Sequence, residues 1–130
     1  MSSPSYNWES EVVVTYSDPG DLRRLRQTAE SFALEQGMAR ERAAQLAVVV
    51  SELATNTLRH TTAPGELRVW AAGPNVIAEV SDNGALPGAD APVMPSPTAV
   101  GGFGLALAAK LSDSIQIQAD PVRIRVTFQL

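Results

Sequence analysis

A carboxylate and a neutral side-chain amide, Glu52 and Asn56, stand four residues apart in the stretch Ser51-Glu52-Leu53-Ala54-Thr55-Asn56-Thr57-Leu58-Arg59-His60. On a helix such residues are neighbours, with Cβ atoms about 5–6 Å apart. A carboxylate beside an amide oxygen can hold a hard cation and orient a water at the same place. Two solvated polar residues on a helix surface would read the same way, so the pair alone leaves both readings open. The surrounding sequence is helical in spacing. From Glu41 to His60 there is no Gly or Pro, and apolar residues recur at Ala43, Leu46, Ala47, Val50, Leu53, Ala54 and Leu58. The pattern predicts an amphipathic helix over residues 40–60, with Glu52 and Asn56 outside its apolar stripe, on the face turned away from a sheet.

Two further stretches could contribute to one site. The run Val76–Val80 leads into Ser81-Asp82-Asn83-Gly84. A carboxylate at a strand end can accept hydrogen bonds from an amino-bearing ring, and a following glycine lets the ring approach bare backbone. The same tripeptide is also an ordinary turn. Further on, Gly101-Gly102-Phe103-Gly104-Leu105 opens an apolar segment. Glycines at a helix start offer unobstructed N–H groups and the positive end of the helix dipole, which suits phosphate. The Lys-Ser/Thr ending of a Walker A loop is absent, which excludes that class of nucleotide hydrolase.

These stretches sit in a chain of 130 residues, 45 % apolar and 18 % charged. That is the composition of one soluble globular domain with a full core. A formal net charge of −4 argues against a general nucleic-acid binder and against a cationic membrane-surface helix. With no cysteine, disulfides, thiolate metal sites and Cys nucleophiles are excluded together. No apolar run is long enough to span a bilayer and no signal-peptide pattern opens the chain, so the expectation is a cytoplasmic protein.

Residues 1–10 read as a flexible tail, and residues 11–130 as a single domain. Glu11 to Ser17 is rich in β-branched residues and predicts a strand. Asp18-Pro19-Gly20-Asp21 is a turn with Asp21 as N-cap of a helix carried by Leu22, Leu25, Ala29, Phe32 and Ala33 and stopped at Gly37. After the helix over 40–60, Ala63-Pro64-Gly65 is a turn. Glu66–Ala72 and Val76–Asp82 then form a tight antiparallel hairpin. Residues 82–101 hold repeated Gly and Pro without apolar periodicity, as an active-site lid would. A helix over Leu105–Leu111 and two strands, Ser114–Ala119 and Arg123–Leu130, complete the chain. The order predicts an α+β two-layer sandwich: a mixed, mostly antiparallel sheet of about five strands with three main helices on one face.

The order and spacing of the three stretches resemble the ATP-binding (Bergerat-type, GHKL) domain shared by gyrase, heat-shock ATPase chaperones, histidine kinases and MutL. Ser51–Thr61, with its Ser-Glu-Leu-x-Thr-Asn-x-Leu-Arg-His-Thr spelling, is most similar to the stand-alone bacterial anti-sigma factor serine/threonine kinases. The resemblance spans about residues 11–130. It implies ATP and Mg²⁺ as ligands, with Asn56 on the metal that bridges the phosphates and Glu52 as the general base. It also implies Asp82 on the adenine amino group, Gly84 beneath the ring, and Gly102, Gly104 and Leu105 around the phosphates. Arg59 matches a basic residue that relatives often place near phosphate, and a solvated arginine fits there equally well. His60 either contacts phosphate or caps the helix end.

Two departures from the family pattern stand out. Leu86 replaces the last glycine of the first glycine box, which would stiffen a lid hinge. Pro121-Val122-Arg123 replaces a Gly-Thr whose hydroxyl helps hold adenine, leaving Thr127 further on. One lost bond of that kind costs about 0.5–1.5 kcal/mol. The chain also lacks a phosphoacceptor helical segment, so a complete sensor kinase is not expected. The resemblance therefore implies a regulatory kinase that phosphorylates an anti-anti-sigma (STAS-type) protein and sequesters a sigma factor, with a homodimer among its allowed assemblies. It implies neither direct nucleic-acid nor membrane binding. The alternatives are a non-catalytic, ATP-regulated protein-binding module of the same fold, and a degenerate member that binds no small molecule.

Overall fold

In a computed structural model, residues 11–60, 64–82, 102–119 and 122–130 are described. The expected tail over 1–10 and the expected lid over 83–101, with Gly84 and Leu86, lie outside them. Five strands are present: β1 (Glu11–Tyr16), β2 (Gly65–Ala72), β3 (Asn75–Asp82), β4 (Ser114–Ala119) and β5 (Val122–Gln129). The main helices are α1 (Leu22–Glu35), α2 (Arg40–His60) and α3 (Gly102–Leu111). The strands form one sheet in the order β1-β2-β3-β5-β4. Every pairing among them is antiparallel, where the sequence predicts a mixed, mostly antiparallel sheet.

Local sequence explains how the elements begin and end. Gly37 adopts a φ of 99°, and the N–H groups of Gly37 and Met38 close α1 onto Leu34 O and Ala33 O. Between Ala72 and Asn75, which face each other in the β2–β3 register, only Gly73 and Pro74 remain. Gly73 has a φ of 61° and Pro74 is held to negative φ, the combination of a type II′ hairpin turn. The start of α1 differs from expectation. Asp18, not Asp21, makes the capping contact, accepting from Gly20 N at 2.7 Å and opening a short 3₁₀ turn (Pro19–Asp21). Asp21 instead reaches back to Ser17 N at 2.9 Å and makes no cap bond to α1. The Pro-Gly pair tightens the chain into a 3₁₀ turn first, which moves the cap three residues upstream.

One side of the sheet is apolar and carries all three helices. Leu67, Val69, Val76, Ala78, Val80, Ile124, Val126 and Phe128 alternate along three central strands and are buried. Leu25, Phe32, Leu46, Val50 and Leu53 pack on them from α1 and α2. The second helix lies between the other two. Arg26 of α1 donates to Ser51 Oγ at 3.3 Å, which turns the Ser51 flank toward α1. Arg42 donates to Leu111 O at 2.6 Å and to Asp113 at 2.9 Å, which turns the opposite flank toward α3. The Arg42 guanidinium also stacks 4.3 Å from the Phe128 ring centroid, so one side chain ties α2, α3 and β5 together.

The other side of the sheet is polar and open. Arg125 pairs with Glu79 at 3.1 Å and lies over Trp70, and Arg68 pairs with Glu11 at 3.0 Å. Two shallow grooves of about 480 and 440 Å³ lie there, lined by Trp70, Glu79, Arg123 and Arg125 among others.

Candidate nucleotide site

Residues 42, 45, 49, 52 and 56 follow one another on the flank of α2 that Arg42 fixes against α3. Glu52 and Asn56 therefore share a ridge, one turn apart, as the spacing predicts. Their environments differ. Glu52 is half-buried. Asn56 is 4 % exposed, which corrects the expectation that it sits on the outward face: a helix flanked on both sides buries more than the stripe it lays on the sheet. Asn56 Oδ1 has no hydrogen-bond partner among the described residues. A buried amide oxygen left without a donor costs about 1–3 kcal/mol.

The neighbouring hydroxyls are satisfied. Thr55 Oγ1 donates to Ser51 O at 2.8 Å and Thr57 Oγ1 donates to Ala54 O at 2.9 Å. Tyr16, the last residue of β1, places its phenol oxygen 2.6 Å from Thr57 Oγ1. Either of the two oxygens can be the donor of that bond. The Tyr16 ring lies against Gly65, its cross-strand partner, where a Cβ would come within 2.6 Å of the phenol oxygen. Gly65 in turn pairs with Asp82 on its other side. Thr57, Tyr16, Gly65 and Asp82 thus form a continuous path from the turn bearing Asn56 to the end of β3.

The remaining expected site residues fall around this path. Asp82 is the final residue of β3 and Gly102 the first of α3, so Gly102 and Gly104 lie in the first helical turn. Leu105 is buried in the core; any ligand contact it makes is through its backbone N–H. Arg59 is exposed and, among the described residues, forms no ion pair. His60 ends α2. Thr127 is on the open face of the sheet, in register with Ile77 and Ser114 and alternating with buried Val126 and Phe128. Sequence reading missed Tyr16 and Gly65 and gave Thr57 no role. Its available signal was Thr57 itself, a hydroxyl spaced three and four residues from the apolar Ala54 and Leu53, which requires a buried partner.

Among the described residues no group of three or more His, Asp or Glu converges to cage a metal. A divalent ion here would draw on the Asn56 oxygen and on oxygens of a bound anion, which is how Mg²⁺ is commonly held with nucleoside phosphates.

With the fold and this geometry in view, comparison places the chain. The profile of the family described as "Histidine kinase-like ATPase domain" matches residues 15–130, and the chain belongs to that family. Its fold is similar to that of the RsbU and RsbW domains of Rv1364c from Mycobacterium tuberculosis, at a TM-score of 0.64 and 20 % identity. That match covers 92 % of this chain and 32 % of the other, so the chain spans about a third of its structural neighbour. No curated protein matches the chain at the sequence level.

Proposed function

We propose that the chain binds Mg-ATP on the α3 flank of α2 and transfers the γ-phosphoryl to a serine or threonine of a regulatory protein. The observation that carries this reading is the buried Oδ1 of Asn56, which has no hydrogen-bond partner among the described residues. A helix that satisfies the hydroxyls of Thr55 and Thr57 within its own turns leaves one hard oxygen acceptor, one turn from a carboxylate, without a partner among the described residues. That oxygen fits a magnesium ion, and Asn56 would hold it together with phosphate oxygens. When bound, the ion neutralises charge on the phosphates.

The protein's own groups have separate parts. Asp82 accepts from the adenine amino group, and the N–H groups around Gly102 and Gly104 hold phosphate at the start of α3. Glu52 accepts the proton of the attacking hydroxyl as its oxygen bonds to the γ-phosphorus. The bond from that phosphorus to the bridging β–γ oxygen breaks, and ADP leaves. The Ser51–Thr61 spelling, which resembles that of anti-sigma factor kinases, supports a sigma factor and a STAS-type antagonist as the protein partners, in a cytoplasmic setting.

A second reading, an ATP-regulated binding module without transfer, draws on Thr127. Its hydroxyl is on the far face of the sheet, so adenine lacks one bond that relatives supply. The two readings separate on Glu52→Gln, which keeps size and hydrogen bonding but accepts no proton. Transfer to a STAS-type protein from the same organism should fall by roughly 10²–10⁴, with ATP affinity within a few-fold of wild type. If wild type and variant both bind ATP and a partner yet neither transfers phosphate, the binding module stands.

A further inference from the structure

The hydroxyl pair behind Asn56 has a geometry that simple core packing does not require. Tyr16 could fill the same space as phenylalanine; its oxygen is used to hold Thr57 at 2.6 Å. Thr57 is the residue next to Asn56, and its hydroxyl also lies 2.9 Å from Ala54 O, so the contact pins the backbone of the turn that carries Asn56. The other side of the phenol is just as constrained, because the ring occupies the space a Gly65 side chain would need. Gly65 stands opposite Asp82 in the β2–β3 register. One buried side chain, 2 % exposed, therefore touches the helix end that carries Asn56 and the strand partner of the residue assigned to adenine.

Resting on the nucleotide reading above, we infer that Tyr16 is a positioning residue that sets the separation between Asn56 and Asp82, so that one ligand can span both. Its hydroxyl bond to Thr57 fixes the height of the α2 C-terminal turns over the β2–β3 end of the sheet. Among the described residues, the turn carrying Asn56 is otherwise held by bonds within its own helix and by apolar packing. Without the bond to Tyr16 each half of the site would survive, but not their spacing.

The test compares a ligand that uses one half with a ligand that uses both. Adenosine engages only the Asp82 end, whereas Mg-ATP spans the two. Calorimetry should show Tyr16→Phe binding Mg-ATP about two- to tenfold more weakly, the range for loss of one hydrogen bond, with adenosine affinity unchanged within twofold. Thr57→Val should give the same split, and the double variant should be no worse than either single one. Thr57→Ser keeps the hydroxyl and should restore wild-type discrimination. Parallel losses of adenosine and Mg-ATP, or an unchanged Mg-ATP affinity in Tyr16→Phe, would overturn the inference while leaving the nucleotide site intact. A wild-type protein that binds neither ligand would overturn the nucleotide reading, and the inference with it.

Discussion

At the scale of single residues, the chemistry rests on how differently Glu52 and Asn56 are treated by one helix flank. Glu52 keeps access to solvent, as a proton acceptor must if a partner's hydroxyl is to reach it. Asn56 is sealed off with an acceptor oxygen that nothing described satisfies, an arrangement that is unfavourable until a cation or donor arrives. The third residue, Asp82, should distinguish bases. A carboxylate accepts from the adenine amino group, where guanine presents a carbonyl. Asp82→Asn should therefore weaken ATP more than GTP in a competition titration, and equal losses for the two would reduce Asp82 to the end of a strand.

Among the elements, those with a strong period were legible from sequence alone. The apolar stripe from Ala43 to Leu58 gave α2 its observed bounds, Arg40–His60, and the Gly73-Pro74 pair gave the β2–β3 hairpin. What periodicity could not show was how much of α2 its neighbours would bury, because that depends on α1 and α3 lying along both flanks. Nor could it reveal that Tyr16, read only as a strand residue, would meet Thr57 across 41 positions of sequence. The packing of α2 and α3 also carries a pH signature. Asp113 accepts from Gln129 N at 2.6 Å, and this bond more than offsets partial burial, which acts in the opposite direction. The Arg42 guanidinium at 2.9 Å adds to it, so the carboxyl is held below its ordinary 3.8. A lowered folded-state value means that the stability Asp113 contributes is present above 3.8 and is lost as the pH falls below it. The side chain is 46 % exposed, so solvent screening keeps the effect small. Thermal melts of wild type and Asp113→Asn should differ at neutral pH and converge as the pH falls progressively below 3.8; no difference at any pH would assign the anchoring to Arg42 and Leu111 alone.

For the molecule as a whole, the sheet divides the work between its faces. The helical face holds the core and the Glu52–Asn56 ridge; the open face holds paired charges and two shallow grooves, neither lined by Glu52 or Asn56. Family membership over residues 15–130 supplies the class of ligand, and the buried amide oxygen supplies the reason a metal-bound phosphate would be favoured at that flank. The most direct measurement of this claim is Mg-ATP calorimetry on wild type and Asn56→Ala, paired with thermal melts of both apo proteins. Removing an unsatisfied buried oxygen should leave the apo melting temperature equal or raised. The same change should reduce Mg-ATP affinity by about tenfold or more, at least the scale of losing a group that supports a bound metal. Equal affinity for Mg-ATP in the two proteins would contradict the account, and so would a loss of binding that only follows a lowered melting temperature.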